Sequence, residues 1–283
     1  MGGTRDAVAE LARGYVALQA ARLRSLGPAA TAGDDDAVHD ARTATRRLRT
    51  ALGVCAPLVA DGTRLRDGLR GVGRTLGAVR DPAVELTWLR EALDSLPHDD
   101  GRARARLVEN RLAARQAGLV VLRRQLRSAA HGRLLADLDA AVLGAWSPDE
   151  GRILHRAARE WRRLDRALAA ADAAGHDERD AALHAARRQA RRARYAAELV
   201  GAPAGRSVER AERVQETLGR QHDAVLVRAV LAEVATQAGA AGEDLSAYDR
   251  LAERAARAAA RAEDDARRAA RRARATGHRR WMP

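Results

Sequence analysis

The chain contains no lysine and no phenylalanine, so all 51 of its strongly basic residues are arginine. Arginine stays charged and grips phosphate with two parallel hydrogen bonds. A GC-rich coding sequence would also favour arginine, alanine and glycine, so position carries the argument more than residue choice. Aromatic residues make up only 2% of the chain, which leaves base stacking on exposed rings poorly supplied. Cys55 is the only cysteine, which excludes an internal disulfide; on the apolar side of its helix it reads as a small core residue. No apolar run approaches membrane-spanning length, and the N-terminus lacks an apolar signal segment. No membrane insertion and a cytoplasmic location are therefore expected. Enzyme signatures are missing too: a glycine loop ending in lysine, Gly-x-Ser-x-Gly, His-Glu-x-x-His and paired cysteines. A kinase or triphosphatase would want carboxylates holding metal ions beside its basic groove, and no such cluster is visible. The expectation is a protein without catalysis, cofactor or metal.

What is present is positive charge and helix. The net charge is +13 and the isoelectric point near 11.3, which implies an acidic partner: nucleic acid, an anionic membrane or a polyanionic metabolite. Alanine, leucine and arginine dominate, apolar residues recur at three and four, and no β-branched alternation suggests a strand. Helices are predicted near 4–26, 34–56, 62–78, 82–96, 101–128, 132–145, 148–173, 177–200, 206–219, 223–238 and 244–275. Asp34 to Asp36 place negative charge at the first turn of the second. Pro57 is expected to stop or kink that helix. Asp81–Pro82 and Ser147–Pro148 read as N-cap and first helical residue, and Gly201 with Pro203 as an end signal.

One helix motif occurs twice. VHDARTATRRLRTAL starts at Val38, and LHAARRQARRARYAAEL starts at Leu183. Aligned on His39 and His184, arginines coincide at offsets three, seven, eight and ten: Arg42, Arg46, Arg47 and Arg49 against Arg187, Arg191, Arg192 and Arg194. At about 100° per residue, offsets zero, three, seven and ten fall within roughly 80° of one helix face. Each copy thus presents a ladder of guanidinium groups headed by an imidazole, about 15 Å long. Arg47 and Arg192 lie about 80° from the histidine and flank the ladder. No carboxylate occurs from Ala41 to Ala60 or from Ala181 to Ala197. An ordinary solvated face mixes signs; uncompensated like charge suits a ligand carrying a row of anions.

The remaining candidates carry alternatives. His39 and His184 lack partners at metal-ligand spacing, so a hydrogen-bonding or phosphate-contacting role is expected for them. Tyr195, at offset eleven, is placed to donate to a phosphate oxygen or to sit at the amphipathic boundary. LGAVRD ends at Asp81 and LGRQHD at Asp223, and a helix N-cap is the expected role of each aspartate. Arg80 and His222, just before them, are weaker candidates for an anion contact. The separations, 145 residues between the histidines and 142 between the aspartates, argue for duplication. The expectation is one domain over 1–283 with pseudo-twofold halves, 1–146 and 147–283.

These motifs, with RSAAHGRLLADLDAAV between them, resemble the CHAD domain, a histidine-containing α-helical domain, over nearly the whole chain. The resemblance implies an all-α fold of two pseudo-symmetric four-helix halves. It also implies binding of inorganic polyphosphate in a basic surface or pore between them. Carried over to this sequence, the binders are His39, Arg42, Arg46, Arg49, His184, Arg187, Arg191 and Arg194 with Tyr195, and Arg47 and Arg192 flank. The Glu-x-Glu-x-Lys signature of the triphosphatase domain often fused to this family is absent, so the chain reads as a stand-alone binder. Some members associate with polyphosphate granules. The alternative is an arginine-rich architectural protein binding nucleic acid non-specifically.

Overall fold

The computed structural model describes residues 7–56, 61–96, 101–144, 146 and 150–283. Among them the regular elements are helical: α1 (Ala7–Ser25), α2 (Gly27–Ala32), α3 (Asp35–Val54), α4 (Gly62–Asp94), α5 (Gly101–Leu126), α6 (Ala129–Leu143), α7 (Glu150–Ala173), α8 (Arg179–Glu198), α9 (Gly205–Ala240) and α10 (Ser246–Arg274), with a 3-10 turn at Ala202–Ala204. The protein is all-α. The expectations at Pro57, Ser147 and Pro148 lie outside the described residues.

Two sets of four helices repeat one arrangement. In the first, α1 packs on α3, α3 on α4 and α4 on α5; in the second, α7 packs on α8, α8 on α9 and α9 on α10. Helices α2 and α6 are additions to the first set. The buried faces of α1 and α7 keep the repeat residue by residue. Val8, Ala12, Val16, Gln19 and Leu23 are buried, as are Ile153, Ala157, Trp161, Leu164 and Leu168, each 145 positions later. The apolar stripe at three- and four-residue spacing positions both helices the same way.

Local chemistry sets the ends of the ladder helices. The Asp34 side chain accepts from the Ala37 amide at 2.7 Å, capping α3, and Asp35 and Asp36 follow in its first turn. Just before it, α2 closes on Gly33, whose φ of 100° favours glycine. This short helix occupies the gap between the expected helices 4–26 and 34–56.

The two longest helices correct an expectation. Residues 62–78 and 82–96 were expected as separate helices, as were 206–219 and 223–238. Instead α4 runs unbroken for 33 residues through Pro82, and α9 for 36 through Asp223. Proline inside a helix frees the carbonyl four residues back, here that of Ala78. Gly118 of α5 presses its backbone against that carbonyl, so closely that a Cβ there would overlap main-chain atoms. The interhelical approach therefore accommodates what sequence alone reads as a break.

The length of α4 and α9 also shapes the core. One apolar cluster centres on α1, α3 and α4, a second on α7 to α10. A third joins the far ends of α4, α5, α9 and α10 through Leu89, Leu107, Val227, Val234, Tyr248 and Leu251. The two sets touch along α3 against α8 and α4 against α9, which brings the ladders to a common seam.

Candidate anion-binding site

The first rung of each ladder is seated by the LGxxxD pattern. Arg42 donates to both carboxylate oxygens of Asp81, at 2.8 and 3.3 Å. Arg187 lies 3.7 Å from Asp223. The motif glycines leave room for these guanidinium groups: a Cβ on Gly77 would stand 3.4 Å from Arg42 Nη2, and one on Gly219 3.7 Å from Arg187 Nε. Asp81 and Asp223 are therefore not helix N-caps. They lie inside α4 and α9 and hold arginines from the neighbouring helix. Burial pushes the Asp223 carboxyl up, while Arg187 opposes that shift.

The second rung differs. Arg46 and Arg191 make no ion pair among the described residues, although each is mostly enclosed. Arg46 donates only a long 3.4 Å bond to Thr43, and its Nε is buried without a partner. Burial lowers the Arg46 pKa to about 10, with Arg42 and Arg187 adding repulsion. Burial, then repulsion from Arg46 and Arg187, lowers that of Arg191 to about 9. Two guanidinium groups thus share a weakly solvated space with no carboxylate between them, which costs folding stability and favours an anion.

The outer rungs separate the copies. Arg49 and Arg192 make no ion pair among the described residues. Burial lowers both pKa values; Arg70 adds to the shift at Arg49, and Glu160 opposes it at Arg192. Arg47 and Arg194 both bond to Glu198, at 3.0 and 3.1 Å through their Nε atoms, and Arg194 also reaches Glu212 at 2.8 Å. Tyr15 donates to the same Glu198 at 2.5 Å. Tyr195 lies buried, with the Arg47 and Arg194 guanidiniums 5.3 and 5.8 Å from its ring centre. The carboxylate-free ladders of the sequence are therefore partly compensated by carboxylates from other helices and from Glu198, one residue beyond the second carboxylate-free run.

Two cavities adjoin at Arg46 and Arg191. The larger, about 950 Å³, is lined by His39, Arg42, Arg46, His184, Arg187 and Arg191, together with Arg80 and His222. The smaller, about 510 Å³, adds Arg49, Arg192 and Tyr195 to Arg46 and Arg191. Of the eleven expected residues, only Arg47 and Arg194 line neither. The smaller cavity also takes Arg66 from α4, Arg156, Arg159 and Arg163 from α7, and Arg188 from α8. These lie outside the repeated ladder positions. The α7 residues recur at three and four, the spacing that betrayed the ladders, but without a matching copy to single them out.

The histidines differ in company. His184 and His222 bring their Nδ1 atoms to 3.3 Å, whereas His39 lies under the influence of Arg80. Burial first, then the arginines, lowers all three pKa values, that of His222 to about 4. Among the described residues no three histidine, cysteine or acidic side chains cluster to hold a metal ion, and no helix is long and apolar enough to cross a membrane.

The fold and seam define a class: a duplicated α-helical domain that sets two arginine ladders against each other over shared cavities. The chain belongs to the CHAD domain family, whose model matches residues 14–232. Two uncharacterized proteins of Mycobacterium tuberculosis, from strains CDC 1551 and H37Rv, are each 35% identical over 232 residues. The match covers 78% of this chain and 45% of theirs, so the chain spans less than half the length of these relatives. Two solved structures share the fold. PptA from Streptomyces chartreusis aligns with a TM-score of 0.77 at 21% identity, covering 92% of this chain and 98% of its own. The CHAD domain from the plant Ricinus communis aligns at 0.67 and 24% identity, covering 93% and 91%.

Proposed function

We propose that this chain is a non-catalytic module that binds inorganic polyphosphate between α3 and α8. The observation that carries the reading is the pair Arg46 and Arg191: enclosed, without a carboxylate partner, and common to both cavities. An extended chain of phosphates lying past them would supply the missing acceptors at successive rungs, His39 and His184 flanking one end and Arg49 and Arg192 the other. Size favours a thin polyanion over duplex DNA. A 950 Å³ cavity is only roughly 12 Å across if spherical, and a duplex is wider than its own roughly 12 Å major groove. Counterion release makes the affinity fall steeply with salt. Association with polyphosphate granules follows from the same chemistry. Non-specific nucleic-acid binding would rest on the surrounding basic surface, not on the seam.

The test is competition at physiological salt. Labelled long-chain polyphosphate is displaced by unlabelled polyphosphate or by duplex DNA at equal phosphate concentration. Polyphosphate is expected to displace far better. An Arg46→Ala/Arg191→Ala double variant is expected to lose about 100-fold in affinity or more, since each charged hydrogen bond contributes roughly 1.5–3 kcal/mol. It should keep or gain thermal stability without ligand, because two enclosed like charges are gone. Equal displacement by DNA, with the variant unaffected, would replace the seam by a diffuse basic surface.

A further inference from the structure

The two adjoining cavities are chemically unlike. Nine arginines and one carboxylate, Glu160, line the smaller. Eight arginines and five carboxylates line the larger, along with an apolar wall built from Val84, Trp88, Leu226 and Ala258. A uniform row of phosphates uses every part of the first cavity and leaves that wall of the second idle.

The larger cavity is also polarised. The Arg42–Asp81 pair and the ladder rungs mark its cationic end. Trp88 follows Asp81 by seven residues on unbroken α4, which returns it to nearly the same helix face roughly 10 Å further on. Trp88 is half-buried, packed on the apolar cluster that joins α4, α5, α9 and α10, and it lines the cavity. Beside it stands Glu91, exposed and without an ion pair among the described residues, and the Thr87 hydroxyl, which donates to the Ala83 carbonyl at 3.1 Å, is left as an acceptor. Glu91 repels phosphate here, while Arg261, one turn beyond Ala258 on α10, also lines the cavity. A flat neutral head, able to stack on an indole and to donate hydrogen bonds to a carboxylate, suits this end.

We infer that the larger cavity binds a nucleoside polyphosphate, its phosphates on the Arg42, Arg46, Arg187 and Arg191 end and its base against Trp88. The inference rests on the proposed polyphosphate reading only for the arginine end; the base site is separate from it. ATP and inorganic tripolyphosphate, two short polyanions of similar charge, are titrated by calorimetry without divalent metal, beside long-chain polyphosphate. ATP is expected to bind roughly tenfold more tightly than tripolyphosphate, as base–aromatic stacking allows. Trp88→Leu is expected to abolish that advantage while leaving long-chain polyphosphate affinity unchanged. Should the leucine variant not fold, wild-type protein titrated with ribose 5′-triphosphate decides, because removing the base must cost the same tenfold. ATP binding no tighter than tripolyphosphate overturns the inference and leaves the polyphosphate reading standing. Failure of long-chain polyphosphate to bind as well would remove the polyphosphate reading itself.

Discussion

The two ladders share their sequence pattern and part company fourteen residues after their histidines. There the first copy has Gly53 and the second has Glu198. Beside Gly53 the seam stays open: its carbonyl accepts from Arg156 at 2.8 Å, and the arginine-rich smaller cavity lies against it. Beside Glu198 the seam is closed. That carboxylate draws in Arg47, Arg194 and Tyr15 and holds both arginines to protein. The helix flanking each ladder repeats the contrast. Arg156, Arg159 and Arg163 of α7 correspond, 145 residues earlier, to Leu11, Gly14 and Leu18 of α1. Duplication thus supplies two equivalent frameworks, and one side of the seam has become structural where the other stays available to a ligand.

Breaking the closed side should have the largest effect. The Glu198 side chain is only 13% exposed and has two cationic partners and a phenol, so Glu198→Gln strands enclosed charge. Removing one member of a buried ion pair costs about 3 kcal/mol or more. The expected outcome of chemical denaturation is a loss of that size. Polyphosphate should then stabilise the variant more than the wild type, since Arg47 loses its carboxylate and adds uncompensated positive charge beside the seam, while Arg194 keeps Glu212. An unchanged denaturation midpoint would mean that Glu198 is not what closes this side.

The reciprocal change, Gly53→Glu, sharpens the comparison from the open side. A Cβ at Gly53 would meet the Arg66 guanidinium at an ordinary 3.5 Å, so the helix accepts the substitution. Its carboxylate would sit among arginines as Glu198 does. The unliganded protein should gain stability, while polyphosphate affinity falls by roughly 30-fold, equivalent to about 2 kcal/mol of lost charged hydrogen bonding. Competition binding and a thermal melt on one sample read both signs. Equal affinity in variant and wild type would remove the smaller cavity from the ligand's path.

Much of this was legible in the sequence, and the parts that were not share one cause. Helix periodicity and the repeated His-Arg spacing are local, so the all-α fold and the ladders could be read without contacts. The same locality misled at Asp81. An aspartate before a proline is a helix start in isolation, but here Gly118 of α5 receives the freed turn and Arg42 of α3 claims the carboxylate. The absence of carboxylates within each ladder was real, yet Asp81, Asp223 and Glu212 arrive from other helices. Trp88 and the α7 arginines belong to no repeated motif. Only the packing of α4 on α9 and of α7 on α8 brings them to the cavities.

The smallest expected effect concerns the heads of the ladders. Position for position, Arg80 in the first half corresponds to His222 in the second, 142 residues on. His39 therefore meets a permanent charge, and His184 a titratable one. With its folded pKa near 4, below an ordinary value of 6.5, His222 is neutral at pH 7 in the free protein. Between those values the unfolded chain holds a proton that the folded chain refuses, so unliganded stability falls as pH drops from about 6.5 toward 4. Burial is the largest cause of that shift and persists, but a polyanion beside the ring offsets the repulsion from Arg187, Arg191 and Arg42 and so raises the His222 pKa. Its binding then takes up protons, and affinity rises as pH falls from 7.5 to 5.5, by several-fold and less than about tenfold. His222→Arg copies the first half into the second. It should raise affinity at pH 7.5 and flatten the pH profile, leaving only the shallower contributions of His39 and His184. A profile equally steep in wild type and variant would place the proton uptake elsewhere, and the two heads would then be equivalent after all.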